Sequence, residues 1–339
     1  MTWAGATSAI LRLAATASEL DVMRLHVLHE TSYSYAPAVE NAHHVVILKP
    51  THRSTQILLN YSLHIAPAPA RQREVTDVYG NMLVYFSLQT THNRLTVVAD
   101  SIVSTSAAHP LLSHQTLTSP PWEKVRDQFR YRAVAAYNSA SEFLFASTYI
   151  PRHPLFNEFC QPSFKHGRPL LEVAQDLMTR IFTSMRYDSD STQINTPAVE
   201  ALKQRKGVCQ DFAHIMVACW RGMGLPARYV SGYMLTNPPL GKPRLVGCDA
   251  SHAWVSVYCP DAGSFFDGRT GTQPGQWLDF DPTNNRMPGE DYVTLATGRD
   301  FLDVSPMRGV IRGGTRHVLK VAVTVEPVPE IEMKIEIQP

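Results

Sequence analysis

The stretch from Gly207 to Gly224 sets the strongest limit on how this chain can fold. Val208, Phe212, Ile215, Met216, Cys219 and Met223 recur there at helical spacing, which predicts a helix with most of its surface buried. Gly207 lets the backbone turn sharply before it, and Gly222 or Gly224 can end it in a left-handed conformation. That places Cys209 in the first turn, beside backbone N–H groups that have no partner inside the helix. A thiolate is favoured there over a thiol, and the thiolate is the nucleophile.

The material around this helix is that of an ordinary globular protein. A chain of 339 residues suggests two domains or one large one, and 44% hydrophobic against 18% charged residues supplies a core. A net charge of +1, with no arginine-rich tract and no Gly-rich phosphate loop, argues against nucleic acid or an anionic membrane as the main partner. The five cysteines (160, 209, 219, 248 and 259) form no Cys-x-x-Cys pair. Reduced thiols in a cytoplasm are therefore expected rather than a disulfide framework. The His43–His44 doublet has no regular ligand spacing around it and reads as strand surface, so no metal and no cofactor are expected. No run of 18 apolar residues is present to span a bilayer. Residues 1–22 read as a flexible extension, with Met23 an alternative start to the folded protein.

From residue 23 to 106 the pattern is that of strands. Ile57, Leu59, Tyr61, Leu63 and Ile65 alternate without a break, as do Val84, Phe86 and Leu88, and then Leu95, Val97 and Ala99. Tyr79-Gly80-Asn81 reads as a hairpin turn. An all-β domain, sandwich or small barrel, is expected here, without a reactive cluster. Residues 107–168, broken by prolines, read as a linker with short helices. A helix starts at Pro169 with Leu170, Val173, Ala174, Leu177 and Ile181 on one face, and another starts at Thr196-Pro197. Strands follow the cysteine helix at 228–234, 253–258, from Trp277, and at 318–325. Residues 169–325 thus form an α+β unit, with a frayed tail over 326–339.

A cysteine nucleophile needs a base to take and return a proton, and a group that orients the base. Cys209 begins a helix, His252 heads a strand, and Asp279 and Asp281 end the next one. Two apart, these acids share a strand face. Asp281, before a proline, is preferred as the orienter, Asp279 is second and Asp249 third. Taken singly, each residue has a plainer reading: a cysteine on an apolar helix is usually core, a histidine opening a strand is usually structural, and Asp before Pro-Thr usually forms a turn. Cys219 and His214 keep that reading as packed helix residues, and Trp254 and Trp277 are read as core rather than cleft.

Three blocks together point elsewhere. Gly-Val-Cys-Gln-Asp-Phe-Ala-His, Asp-Ala-Ser-His-Ala-Trp-Val and Trp-Leu-Asp-Phe-Asp-Pro-Thr-Asn-Asn resemble the three core blocks of the transglutaminase-like superfamily, in that family's order, over about residues 165–290. The bacterial members described as transglutaminase-like cysteine proteases are the most similar, and His-Glu-Thr-Ser-Tyr-Ser-Tyr onward resembles the N-terminal region that accompanies them. The resemblance implies a papain-related core of helices on an antiparallel sheet, preceded by the all-β domain. It also implies Cys209 as nucleophile, His252 as base and acid, and Asp281 as orienter. The implied chemistry is acyl transfer from an amide of a peptide or protein, resolved by water or by an amine. The backbone N–H of Cys209 is a candidate oxyanion donor, with Gln193 or Tyr187 as a second. Animal members use calcium, but no acidic loop with ligand spacing for it occurs here. A non-catalytic binding module that keeps the fold, and a thiol acyltransferase using acyl-CoA, remain as alternatives.

Overall fold

A computed structural model describes residues 22–106, 119–133, 136–189, 196–236, 251–260 and 276–328. The N-terminal strands are β1 (Val22–Val46), β2 (Gln56–Ala66), β3 (Arg71–Thr76), β4 (Met82–Leu88) and β5 (His92–Ser106). They pair antiparallel in the order β2-β5-β1-β4-β3. The expected hairpin turn joins β3 to β4: Gly80 has φ +87°, and the Asp77 carboxylate accepts the backbone N–H groups of Tyr79 and Asn81 at 2.8 Å each. Such an Asx turn closes a hairpin without help from the rest of the fold.

The alternation over 57–65 does not survive intact. Leu59 is an extra residue between Leu58, which faces Val103, and Asn60, which faces Ile102. The bulge reverses the phase, so Ile57 and Leu59 point outward, 56% and 51% exposed, while Ile65 is buried. The histidine doublet is split in the same way. His43 is exposed as expected, but His44 is buried against Phe86 with ring centroids 5.1 Å apart.

The helices that follow are α1 (Trp122–Gln128), α2 (Pro154–Cys160), α3 (Leu170–Ser184), α4 (Ala198–Gln204) and α5 (Cys209–Gly222). Two short parallel strands, β6 (Arg186–Tyr187) and β7 (Lys206–Gly207), lie just before α5. Leu170, Val173, Ala174, Leu177 and Ile181 are all fully buried, as the spacing of α3 predicts. In the described part of the segment expected to hold a linker and short helices, Trp122, Val125, Phe156 and Cys160 belong to the same core as α3 and α5. α4 starts one residue later than expected, with Pro197 at the cap in an extended conformation and Arg205 ending it at φ 57°.

A four-stranded sheet packs on α5 in the order β10-β9-β8-β11, built from β8 (Ala227–Met234), β9 (Ser251–Cys259), β10 (Gln276–Phe280) and β11 (Tyr292–Gly298). Ala227, Ala253, Val255, Val257 and Cys259 meet Phe212, Ile215, Met216 and Cys219 of α5 in one buried cluster. After the short helix α6 (Phe301–Val304) come β12 (Met307–Gly313) and β13 (Arg316–Pro327). Both pair with β1, so the strand expected to close the catalytic unit at 318–325 belongs to the N-terminal sheet. Period-2 patterning marks a strand but carries nothing about its partner, and here the chain returns to where it began.

The two units are joined through β11, an edge strand of the four-stranded sheet. Its backbone would be stranded there, because buried peptide groups must be paired. Gln56 meets that need from the N-terminal sheet: its Nε2 donates to the Thr294 carbonyl at 2.7 Å and its Oε1 accepts the Thr294 N–H at 2.6 Å. Asn81 does the same at Thr297, with 2.8 Å to the carbonyl and 2.9 Å from the N–H. Both side chains are buried. An Asn81→Ala substitution leaves both Thr297 groups unpaired and should lower the free energy of unfolding by about 1–3 kcal/mol. Urea denaturation checks this, and a loss within the fitting error would mean that Asn81 does not hold the edge.

Candidate active site

The loop before α5 is shaped by one carboxylate. Asp211, in the first turn, reaches back to accept the Val208 N–H at 2.8 Å, half of a capping box. A Cβ on Gly207 would lie 2.6 Å from that carboxylate oxygen. Gly207 is therefore required by a close approach rather than by a sharp turn. The left-handed residue at the far end is Gly224, at φ +79°. Cys209 thus occupies the first helical position, half-buried, and its N–H is among those a first turn leaves without an intrahelical acceptor.

His252 opens β9 opposite Gly232 of β8, and Asp281 follows the last residue of β10. Their side chains meet with Nε2 of the imidazole 2.7 Å from Oδ2 of the carboxylate. The Cys209 side chain lies close enough to His252 to act on its charge. With Nε2 given to Asp281, Nδ1 is the nitrogen left for the sulfur. Burial works against a charged imidazole, yet the hydrogen bonds and charges of Asp281 and Cys209 outweigh it and raise its pKa to about 10.

Asp281 is fully buried, and both oxygens are saturated. Oδ2 accepts from His252, from the Tyr292 hydroxyl at 2.7 Å and from Asn284 Nδ2 at 2.7 Å. Oδ1 accepts the backbone N–H groups of Thr283 at 2.8 Å and Asn284 at 3.2 Å. Burial pushes its pKa up, but His252, Tyr292 and Asn284 together hold it below the usual carboxylate value. Asp-Pro-Thr-Asn is therefore an Asx turn whose acid also receives the imidazole. A buried carboxylate is tolerated only with such donors and a paired cation.

Asp279, the second choice for orienter, has a different task. Its carboxylate takes both terminal nitrogens of Arg53, at 2.7 and 3.2 Å, the Ser256 hydroxyl, and the Trp254 indole N–H at 3.2 Å. Arg53 comes from the N-terminal unit and also donates to the Thr294 hydroxyl at 2.7 Å. Trp254 is core, as expected, but core beside the site: its ring centroid lies 6.0 Å from that of His252 and 5.3 Å from that of Tyr292. A Cβ on Gly232 would meet the Trp254 ring at 2.4 Å, so a glycine is needed opposite His252 for the indole to lie there. Trp277 is half-buried under the Arg228 guanidinium, whose carbon sits 4.2 Å from the ring centroid.

The rivals within α5 behave as packed residues. His214 is fully buried between Tyr149 and Tyr229, accepts the Phe301 N–H at 3.2 Å, and is kept neutral by burial and by Arg221, which push its pKa down to about 3. Cys219 is buried beside Cys160, and burial pushes its thiol well up. Tyr187 pairs with Gly207 across β6 and β7, two residues ahead of the cysteine. Burial, and then the charge of the Cys209 sulfur, raise its phenol pKa, which places it in electrostatic range of that sulfur. Asp249, Gln193, Cys248 and residues 1–21 lie outside the described residues. Among the described residues no three His, Cys, Asp or Glu side chains converge where a metal ion could sit.

Comparisons with known proteins agree with this layout. The family described as the bacterial transglutaminase-like N-terminal region matches residues 25–104, and the transglutaminase-like superfamily matches residues 158–282. An uncharacterized protein of Mycobacterium tuberculosis is 39% identical over 307 residues, covering 90% of this chain and 93% of its own. A protein-glutamine gamma-glutamyltransferase of Pseudomonas aeruginosa is 28% identical over 131 residues, 36% of this chain and 17% of its own. The crystal structure of a "putative cysteine protease" from Cytophaga hutchinsonii shares the fold with a TM-score of 0.65 at 19% identity, over 91% of this chain and 92% of that one.

The charge on His252 has a defined pH dependence. Its pKa is raised from 6.5 to about 10 in the folded protein, so the imidazolium contributes stability fully below about 6.5 and loses it as pH rises toward 10. In a histidine-selective NMR titration, His252 should remain protonated through neutral pH. Asp281→Asn should bring its midpoint down by roughly 1–3 pH units. An unchanged midpoint would show that Asp281 does not hold the proton on this ring.

Proposed function

The chain belongs to the transglutaminase-like superfamily, and from that premise we propose that it catalyses cysteine-dependent acyl transfer from amide bonds of peptides or proteins. The observation that carries this reading is His252, hydrogen-bonded to buried Asp281 and within interacting range of half-buried Cys209. In the proposed reaction the Cys209 sulfur attacks the amide carbonyl carbon, and the carbonyl oxygen takes the negative charge. The first-turn N–H of Cys209 is the proposed donor to that charge, and one such donor is typically worth about 3 kcal/mol of barrier. Tyr187, whose phenol feels the charge of the Cys209 sulfur, is the side chain we propose as the second donor.

Collapse of the adduct breaks the C–N bond, and His252 delivers its proton to the departing amine or ammonia. A thioester on Cys209 remains. Water or a primary amine then attacks it, His252 takes the proton of the attacking group, and the thiolate leaves. Asp281 carries no proton in either half-reaction. It holds the ring in one orientation and stabilises the imidazolium whenever the ring carries the proton.

The P. aeruginosa relative is named for transfer of a glutaminyl acyl group, and the C. hutchinsonii structure for peptide cleavage. Both outcomes follow from one thioester and differ in what resolves it. Mass spectrometry of a glutamine-containing peptide, with and without a primary amine, separates them. Amine incorporation with loss of ammonia means transferase, deamidation alone means amidase, and a cut backbone means protease. Cys209→Ala should abolish whichever is seen, and turnover that survives it would end this reading. Iodoacetamide near neutral pH should label Cys209 faster than buried Cys160, Cys219 and Cys259 by on the order of tenfold or more.

A further inference from the structure

Three donors converge on one oxygen of the site. Oδ2 of Asp281 accepts from His252 Nε2, from the Tyr292 hydroxyl and from Asn284 Nδ2, each at 2.7 Å. A carboxylate oxygen offers two lone pairs, so the three compete and each weakens the others. Two of them have an evident reason to be there. His252 is the group to be oriented, and Asn284 belongs to the Asx turn that Asp281 itself builds. Tyr292 comes from β11, and that turn does not require it.

The phenol of Tyr292 is firmly held. It is 4% exposed and stands edge-on to Trp254, with ring centroids 5.3 Å apart and an interplanar angle of 88°. The Arg286 guanidinium carbon sits 4.7 Å from its ring centroid, and Arg286 is in turn paired with Asp291. Burial, and then the charge of Asp281, push the phenol pKa up, so the hydroxyl remains a donor over the accessible pH range. Among the described residues, the titratable groups that face His252 are Asp281, Cys209 and Tyr292. Arg286 lies behind the phenol, and Asp279 with Arg53 lies behind Trp254.

A neutral hydroxyl on a carboxylate has a signed effect on the imidazole that shares it. The hydrogen bond is strongest when the carboxylate faces a neutral ring, and weaker once an imidazolium has offset the negative charge. It therefore favours the deprotonated ring, though by much less than an arginine in the same place. We infer that Tyr292 is a positioning residue of the reaction, which acts through Oδ2 of Asp281 to ease the release of the His252 proton to the departing amine. This rests on the acyl-transfer reading above and deepens it, because a group that serves as acid and base must part with its proton as readily as it takes it.

The test is the sign of a shift. Tyr292→Phe keeps the ring and removes the donor, so the His252 midpoint in a histidine-selective NMR titration should rise by roughly half to one pH unit. A role confined to packing would loosen the contact between Asp281 and His252 and lower the midpoint, or leave it where it is. Either result overturns the proposal. Tyr292→3-fluorotyrosine keeps the hydroxyl and makes it a stronger donor, so the midpoint should fall instead; this substitution decides the question if Tyr292→Phe does not fold. In turnover, Tyr292→Phe should slow acylation by an amide several-fold more than acylation by a p-nitrophenyl ester. The sulfur forms the same thioester from the ester, but p-nitrophenolate leaves with the electron pair and needs no proton. Equal slowing of the two would overturn the role. No amide turnover by the native protein would overturn the acyl-transfer reading and this role with it, whereas turnover with a midpoint that does not rise in Tyr292→Phe overturns this role alone.

Discussion

The structure depends on how the exposed edge of β11 is satisfied. One side of this strand pairs with β8, and the other faces the N-terminal sheet, where no strand among the described residues pairs with it. Two side-chain amides stand in for the missing neighbour, each giving one donor and one acceptor to a single residue of the edge. An amide is the side chain that can do this, since it alone presents an N–H and a carbonyl in the same plane as a peptide group. The edge is closed by docking rather than by pairing, so the two units are parts of one fold.

That docking reaches the reacting groups by short steps. Arg53, three residues before Gln56, binds Thr294 on β11 and Asp279 on β10. Asp279 holds the indole of Trp254, which packs on His252 and Tyr292. Tyr292, on β11 itself, donates to Asp281. The position of β11 therefore sets one donor to the orienting carboxylate and, through Arg53, the wall behind the imidazole. The return of β12 and β13 to β1 fits the same picture, because it closes the chain on the sheet from which Arg53, Gln56 and Asn81 project.

What could be read from the sequence follows from the range of each interaction. Helical spacing in α3 and α5, the Gly80 turn and the strands from 227 to 280 are local patterns, and they emerge as expected. Cys209, His252 and Asp281 stand out because each sits at the end of a regular element inside a block with its own signature. The partners do not. Tyr292, Arg53, Gln56 and Asn81 act on residues 11 to 241 positions away, and nothing in their own neighbourhoods distinguishes them from other strand or loop residues. Asn284 had a local signal, since Asp-Pro-Thr-Asn is an Asx-turn sequence, yet only the fold shows its amide reaching both Asp281 and, at 3.4 Å, the imidazole. The bulge at Leu59 was equally hidden, because an extra residue in one strand is defined only by the register of its partner.

Asp279 and Asp281 show why spacing alone could not choose the orienter. They lie two apart at the end of one strand, Asp281 fully buried and Asp279 partly so, and both carboxylates are held below their usual pKa. The difference is the cation each one faces. Asp279 is matched by Arg53, whose charge is permanent, so its own charge is neutralised at every accessible pH and cannot respond to a reaction. Asp281 faces a histidine, and its other donors are neutral hydroxyl, amide and backbone groups. Its charge therefore acts on His252 undivided, and it is felt most when the ring is protonated. A carboxylate already clamped by a guanidinium could hold an imidazole in place but would add little to its basicity. Confining the arginine to Asp279, one pleat away, leaves Asp281 free to act on the proton of His252.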